Sequence, residues 1–232
     1  MKVRQVAGGG RAVEVPPERL ERWFAGFERR NGPAERTVLT AEQVVVTATG
    51  GGTATVTVPY PPLGAEGEQP GLVIEPLLRH ALTERRIGLV LLRLGAHSVG
   101  VAVGERVVTS RTDRHLMQGR TAAGGWSQQR FARRRGNQAR QAVARAARDV
   151  ADVLGPETAS LDAVVLGGDK AALDELLADA QFPKALAELV MPWVLDVAEP
   201  RRAVLDEGAR RARAVEIVVR DGRTSAGCST HV

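Results

Sequence analysis

The sequence predicts a mixed α/β (α+β) protein, and two stretches support that prediction. Between residues 87 and 110, three short apolar segments are separated by glycine-containing turns, which predicts an antiparallel meander of strands. Between residues 161 and 220, strand and helix patterns alternate, which is typical of helices packed on the faces of a sheet. Together they predict a ribonuclease-H-like mixed sheet with flanking helices, preceded by a small α+β N-terminal unit.

Residues 1–85 are expected to form the small unit. Apolar residues recur at helical spacing after Pro17 and end before Gly32, which predicts a helix between the two. Runs of alternating Val and Thr on both sides of three consecutive glycines indicate a β-hairpin. The predicted elements are a helix at 18–30, strands at 43–49 and 53–59, a linker at 60–71 and a short helix at 72–83.

Residues 86–222 are expected to form the larger domain, and residues 223–232 a disordered tail. A long helix at 128–154 is predicted from one apolar stripe with three- and four-residue spacing, formed by Phe131, Ala139, Val143, Ala146, Val150 and Leu154. The other predicted elements are strands at 87–94, 98–104, 106–110, 161–166, 190–197 and 214–220, helices at 170–180 and 200–213, and a loop at 111–127.

Positive charge is concentrated in one segment of the chain. The net charge is +5, yet residues 111–148 contain ten arginines and a single acid, Asp113. This distribution suits a polyanionic partner, and a solvated surface helix in an arginine-rich chain explains it equally well. Hydrophobic residues make up 44% and charged residues 25%, which excludes wholesale disorder.

Metal-dependent nuclease chemistry finds little support in the sequence. On this fold it needs carboxylates on the central strands to hold two metal ions. The first strand of the meander carries Arg93 and no acid; Asp162 opens a later strand and Asp196 lies near the end of another, and these two acids do not make a two-metal site. We therefore expect no metal site.

Other function classes are excluded by similar arguments. The one cysteine, Cys228, gives neither a disulfide nor a zinc site. No glycine pair continues into a phosphate-loop or dinucleotide motif, and Gly167-Gly168 is interpreted as a strand-to-helix turn. No signal sequence or membrane span is recognisable, so a cytoplasmic protein without a cofactor is expected.

Residues 119–135, GRTAAGGWSQQRFARRR, join a glycine-bearing loop to an arginine-rich helix. Glycine lets a backbone approach a partner closely, and arginine donates to phosphates. Trp126 could stack on an unpaired nucleobase. The amide of Gln128 donates and accepts at once, which suits holding a water beside a carbonyl. The alternative is a glycine loop whose residues only favour solvent.

The run from Gly119 to Gln141 resembles the catalytic loop and following helix of the archaeal and eukaryotic class I peptide-chain release factors. In that family a Gly-Gly-Gln tip precedes a helix beginning with Arg-Phe-Ala-Arg, the sequence of Arg130–Arg133 here. The strand at 163–168 resembles the segment after that helix. Glutamine comes two places later in this chain, as Gly125-x-x-Gln128, and this spacing is similar to the actinobacterial Vms-like release factors.

The resemblance implies a peptidyl-tRNA hydrolase that frees the nascent chain from tRNA on stalled ribosomal complexes. It implies that Gln128 is the catalytic glutamine and that Gly124 and Gly125 shape the loop, with Gln129 or Trp126 as alternatives for the catalytic position. The residues implied to bind RNA are Trp126, Arg120, Arg130, Arg133, Arg134 and Arg135.

The implied partners are the large ribosomal subunit and peptidyl-tRNA, with neither DNA nor a membrane, and a monomer without a cofactor is expected. Two alternatives stay open at this point. One is cleavage of the tRNA 3′ end instead of the ester. The other is a non-catalytic ribosome- or tRNA-binding factor that uses the basic helix and loop as an anchor.

Overall fold

The computed structural model describes residues 3–93, 95–114 and 127–222, and for residues 127–135 it describes only the course of the helix. The described chain divides into two compact units. The first takes in the residues up to Thr83 and those from Arg213 onward, and the second comprises Glu84–Ala212.

The elements follow one another along the chain in a simple order. The first unit begins with β1 (Val3–Val6), β2 (Gly10–Val15), α1 (Leu20–Asn31), β3 (Ala34–Leu39), β4 (Gln43–Ala48), β5 (Thr53–Thr57), β6 (Gly67–Pro70) and α2 (Glu75–Leu82). The second contains β7 (Arg86–Arg93), β8 (Ala96–Val103), β9 (Arg106–Arg114), α3 (Ser127–Leu154), β10 (Ala163–Gly168), α4 (Lys170–Ala178), α5 (Lys184–Ala187), β11 (Val190–Leu195) and α6 (Arg202–Arg213). The chain returns to the first unit at Arg213, the last residue of α6, and continues with β12 (Val215–Arg220).

In its described part, the first unit is one antiparallel sheet in the order β1-β2-β12-β5-β4-β3-β6. Helix α1 buries Phe24 and Phe27 completely, in the same apolar core as Val44 and Ile217 of the sheet. The predicted helix and hairpin are therefore confirmed. Strands β1, β2, β3 and β6 were not predicted, and β6 lies inside the expected linker. All four residues of β6 are exposed, so no side-chain pattern marks it as a strand.

In the described part of the second unit, one sheet runs in the order β11-β10-β7-β8-β9. Strands β7, β8 and β9 pair antiparallel, while β10 and β11 run parallel to β7. Helix α3 covers one face, where Val143 and Ala146 share a core with Val99. Helix α6 covers the other face, where a Cβ on Gly100 would lie 2.8 Å from Leu205 Cδ2. The predicted mixed sheet with flanking helices is confirmed.

The turn from β10 into α4 lies at the predicted glycine pair. Gly168 has φ +113°, and a Cβ there would lie 2.1 Å from the carbonyl oxygen of Leu92, so glycine is required. Asp169 then caps α4, because its side chain accepts a 3.1 Å hydrogen bond from the backbone N–H of Ala171.

The final strand corrects the expected domain boundary. Residues 214–220 were expected in the sheet of the larger domain, within 86–222, but β12 lies between β2 and β5 and pairs with both. Main-chain hydrogen bonds join strands at any separation along the chain, and the alternating pattern of β12 fits either sheet. The tail expected at 223–232 lies outside the described residues.

Candidate functional site

The loop residues singled out by the sequence are not tested by the structure. Gly124, Gly125, Trp126 and Arg120 lie outside the described residues. The remaining predicted site residues fall on the first turns of α3, where only the helix itself is described: Gln128, Gln129, Arg130, Arg133, Arg134 and Arg135. Their proposed roles stay predictions.

The structure does describe the two elements that border this segment. Strand β9 ends at Arg114, and α3 begins at Ser127. The buried stripe of α3 is confirmed at its C-terminal half, where Val143, Ala146, Val150 and Leu154 are buried. Burial along the described side chains of α3 begins at Ala142, which is 15 residues, or about 22 Å, from the start of the helix. Ala139 is half-buried, and the side chain of Phe131 lies outside the described residues.

Three arginines lie on the solvent side of α3 where side chains are described. Arg140, Arg145 and Arg148 are exposed, and Arg140 donates a 2.6 Å hydrogen bond to Asn137. Among the described residues, none of the three forms an ion pair with a carboxylate. Other exposed cations of the second unit do so: Arg202 with Asp206, Arg210 with Glu207 and Lys170 with Asp174. The solvent side of α3 thus carries positive charge that its described neighbours leave uncompensated.

A buried histidine connects the other side of α3 to the sheet. His97 on β8 is fully buried, and its Nε2 lies 2.8 Å from Asp149 Oδ2 on α3. The second oxygen of Asp149 accepts a 2.8 Å hydrogen bond from Arg111 on β9, and the same Arg111 nitrogen lies 2.8 Å from Asp152. We call these four residues the His97–Asp149 cluster. It joins two strands to the last turns of the helix.

Asp149 and Arg111 keep their charges at neutral pH. Partial burial by itself would raise the pKa of Asp149, but hydrogen bonds from Arg111 and His97 outweigh it and hold that pKa below its ordinary value. The hydrogen bonds that Arg111 donates raise its pKa, and the one to Asp149 contributes more than the one to Asp152. Because an ionised carboxylate only accepts, the contact with Asp149 requires a proton on Nε2 of His97.

Arg114, at the end of β9, also faces a carboxylate. Its Nε lies 3.9 Å from Glu199, which accepts a 2.8 Å hydrogen bond from Arg201. The hydrogen bond from Arg201 is the main cause of the lowered pKa of Glu199. All three side chains are well exposed, so these contacts add little stability.

The charges of α3 run against the preference of an isolated helix. A helix favours acids in its first turn and bases in its last, each by roughly 0.3–1 kcal/mol. Helix α3 has no acid in its first turn and no base in its last. Its acids, Asp149 and Asp152, lie near the C-terminal end, where Arg111 compensates them. This charge order does not stabilise the isolated helix, and its two acids depend on Arg111 of β9 for compensation.

The two strand acids considered in the sequence are held apart. Asp162 accepts a 2.7 Å hydrogen bond from the backbone N–H of Arg86, at the start of β7. Asp196 lies 4.0 Å from Arg93, at the end of β7. Across the described residues, no group of three His, Cys, Asp or Glu side chains is arranged to hold a metal ion. No helix in the described ranges is both long and apolar enough to cross a membrane.

Sequence reasoning missed the His97–Asp149 cluster. His97 was one of four scattered histidines, and Asp149 was one acid in a long helix. A signal was available, because His97 occurs within a strand whose other residues are small and, apart from Ser98, apolar, and a buried histidine needs a hydrogen-bond partner. Nothing in the sequence identified Asp149 as that partner.

Comparison with known protein families gives one match. A family model described as the Actinobacteria/chloroflexi VLRF1 release factor matches residues 85–218, which include the loop, α3 and the sheet of the second unit. A comparison with curated proteins found no match.

Three solved structures are similar at low identity. The archaeal translation termination factor aRF1 shares 11% identity with a TM-score of 0.41, over 85% of this chain and 70% of that chain. Pelota from Archaeoglobus fulgidus shares 14% with a TM-score of 0.35, over 92% and 66%. Dom34 from S. cerevisiae, a translation termination-like factor, shares 12% with a TM-score of 0.32, over 89% and 66%. Because the family model covers more than half of the sequence, the chain belongs to the VLRF1 release factor family of Actinobacteria and Chloroflexi.

Proposed function

We propose that this protein is a ribosome-dependent peptidyl-tRNA hydrolase that frees the nascent chain on stalled ribosomal complexes. The observation that carries the proposal is the family match, since it spans the glycine loop and the whole of α3. The uncompensated arginines on the solvent side of α3 support it independently, because they give the helix that follows the loop a surface suited to RNA phosphates.

The chemistry proposed for the loop is the placement of one water. Gln128 holds the water, and Gly124 with Gly125 lets the backbone approach the ester closely. The water oxygen bonds to the ester carbonyl carbon, and the bond from that carbon to the ribose oxygen of the tRNA breaks. The ribose oxygen takes up a proton, so the products are a free peptide and an intact tRNA. A backbone N–H stabilises the developing oxyanion, and ribosomal RNA supplies the rest of the site.

The cationic residues orient the protein on the ribosomal and transfer RNA. Phosphate contacts fix the register of a nucleic-acid-binding protein without reading sequence. We assign this role to Arg120, Arg130, Arg133, Arg134 and Arg135, and extend it to Arg140, Arg145 and Arg148 on the described part of α3. Trp126 stacks on an unpaired base at the tip. The partners are the large ribosomal subunit and peptidyl-tRNA, which place the reaction in the cytoplasm, and one copy of the protein enters the site as a monomer.

The test uses purified full-length protein with large ribosomal subunits that carry a labelled peptidyl-tRNA. Intact peptidyl-tRNA, deacylated tRNA, peptide still joined to tRNA 3′ nucleotides, and free peptide are resolved. We expect free peptide and intact tRNA from the parent protein, and loss of release with Gln128→Ala or Gly125→Ala at unchanged subunit association. Gln141→Ala, an exposed glutamine on the same helix, is the matched control and should stay active.

Other outcomes of this experiment would assign a different reaction, a different catalytic residue or a non-catalytic role. Peptide carrying tRNA nucleotides would replace ester hydrolysis with cleavage of the tRNA 3′ end. Loss of release in Gln129→Ala or Trp126→Ala, with Gln128→Ala active, would assign the catalytic position to Gln129 or Trp126 instead. Salt-sensitive association without any release by the parent would leave a non-catalytic factor that binds through the basic helix and loop.

A further inference from the structure

The His97–Asp149 cluster lies at the base of the segment that carries the proposed site. Arg111 is three residues from the end of β9, the strand that leads into the loop. Asp149 and Asp152 lie on α3, the helix that leads out of it. Arg111 therefore holds the entering strand and the departing helix together through one guanidinium group.

Most of the apolar side chains that α3 buries are small. Ala142, Ala146 and Ala147 lie next to Val143 and Val150, and Leu154 at the end of the helix is the one large side chain among its described buried residues. The hydrophobic effect is non-directional, and such small side chains offer shallow ridges for interlocking. Hydrogen bonds are directional and weaken steeply when they are bent. The 2.8 Å contacts of Asp149 with both His97 and Arg111 thus restrict how α3 can tilt and roll on the sheet.

A small change in the angle of α3 at the cluster would move the start of the helix a long way. From Asp149 back to Ser127 the helix runs 22 residues, or about 33 Å. A tilt of about 10° at the cluster would displace the start of the helix by roughly 6 Å. Misplacement of about 1 Å at a reacting centre can cost on the order of a hundredfold in rate.

We propose that His97, Asp149 and Arg111 are positioning residues, which set the direction of α3 and so deliver residues 115–126, which precede it, to the substrate. The expected effect on peptide release rests on the proposed function. The claim that the cluster sets the direction of α3 rests only on the contacts of the cluster. None of the three residues contacts the substrate in this scheme. They act through the angle at which the helix leaves the sheet.

A distance measurement tests the structural half. Spin labels are placed on α3 with Gly136→Cys and on α4 with Glu175→Cys, both exposed, in a Cys228→Ser background that removes the chain's one cysteine. Double electron–electron resonance should give a narrow distribution for the parent. In Asp149→Asn we expect the distribution to shift or broaden by about 3 Å or more, since the label lies about 20 Å along the helix from Asp149.

Further variants separate positioning from folding. Arg111→Gln changes an exposed side chain and should broaden the distribution while circular dichroism keeps the parent's helix content. Arg111→Lys keeps a charge beside Asp149 and should recover part of the narrow distribution. Arg210→Gln breaks the exposed pair with Glu207 on α6 and is the matched control, with an unchanged distribution.

The release assay tests the functional half. With saturating protein, Asp149→Asn and Arg111→Gln should release peptide at least about tenfold more slowly, while subunit association changes by less than about twofold. Unchanged distances in both variants would overturn the inference, and so would altered distances with an unchanged release rate. If the parent itself releases no peptide, the proposed function fails, and the distances alone decide whether the cluster directs the helix.

Discussion

Arg213, the last residue of α6, donates a 2.6 Å hydrogen bond to Glu18 in the turn that precedes α1. Both residues belong to the first unit, and Arg213 is only 18% exposed, so the contact fastens the chain where it returns to that unit. Partial burial by itself would raise the pKa of Glu18, but hydrogen bonds from its own backbone and from Arg213 lower it.

We expect Glu18→Gln to lower the free energy of unfolding by about 0.5–1 kcal/mol, a small value because the Glu18 side chain is half exposed. Urea denaturation at neutral pH measures it. Glu66→Gln, an exposed residue of the first unit outside its helices, is the control and should change stability less. Equal effects of the two substitutions would show that the contact with Arg213 adds nothing.

The same pair predicts a pH dependence. Because the pKa of Glu18 is lower in the folded state, its contribution is complete above the ordinary glutamate value of 4.5. It is lost as the pH falls through the lower folded-state pKa. The stability difference between the parent and Glu18→Gln should therefore shrink on acidification below that value, as measured by urea denaturation at a series of pH values. A difference that grows toward low pH would contradict the assigned direction.

Gly136 offers a stabilising substitution within α3. It lies inside the helix, and a Cβ there would meet nothing within 4 Å. Gly136→Ala should raise stability by about 0.5–1 kcal/mol, because alanine loses less backbone entropy in a helix. Circular dichroism with thermal unfolding measures it. A loss of stability would mean that the position needs a conformation only glycine provides.

Gly168 should respond in the opposite way to the same substitution. A Cβ there would lie 2.1 Å from the Leu92 carbonyl oxygen, and φ is +113°. Gly168→Ala should cost about 2 kcal/mol or more, because strain and steric overlap add. Urea unfolding measured beside Gly136→Ala gives the comparison. A neutral result would show that the turn into α4 rearranges without cost.

The arginines on the solvent side of α3 predict the salt dependence of ribosome binding. Replacing Arg140, Arg145 and Arg148 together by glutamine should weaken binding to large ribosomal subunits and reduce the slope of log K against log salt by about 2, since each phosphate contact contributes roughly 0.7. The matched control replaces three arginines that the structure pairs with glutamates: Arg4, Arg36 and Arg210. Both triple variants lose the same net charge, so an equal fall in slope would attribute binding to net charge rather than to this surface.

Local patterns were enough to predict much of the fold. The apolar stripe of α3 was predicted from spacing alone, and its C-terminal half packs as expected, because the period of a helix is a property of neighbouring residues. The hairpin at β4 and β5 followed from alternating residues around Gly50–Gly52 for the same reason. The family was recognisable from the loop and the start of α3, which lie together in the sequence.

The sequence by itself determined the order of the strands and of the three longer helices in the second unit, the concentration of arginine and the release factor family. Only the tertiary structure decided that β12 lies between β2 and β5, and that His97 meets Asp149 fifty-two residues away. Both depend on pairing between distant segments. A main-chain hydrogen bond carries no side-chain signature, and a buried histidine shows that it needs a partner without showing which one.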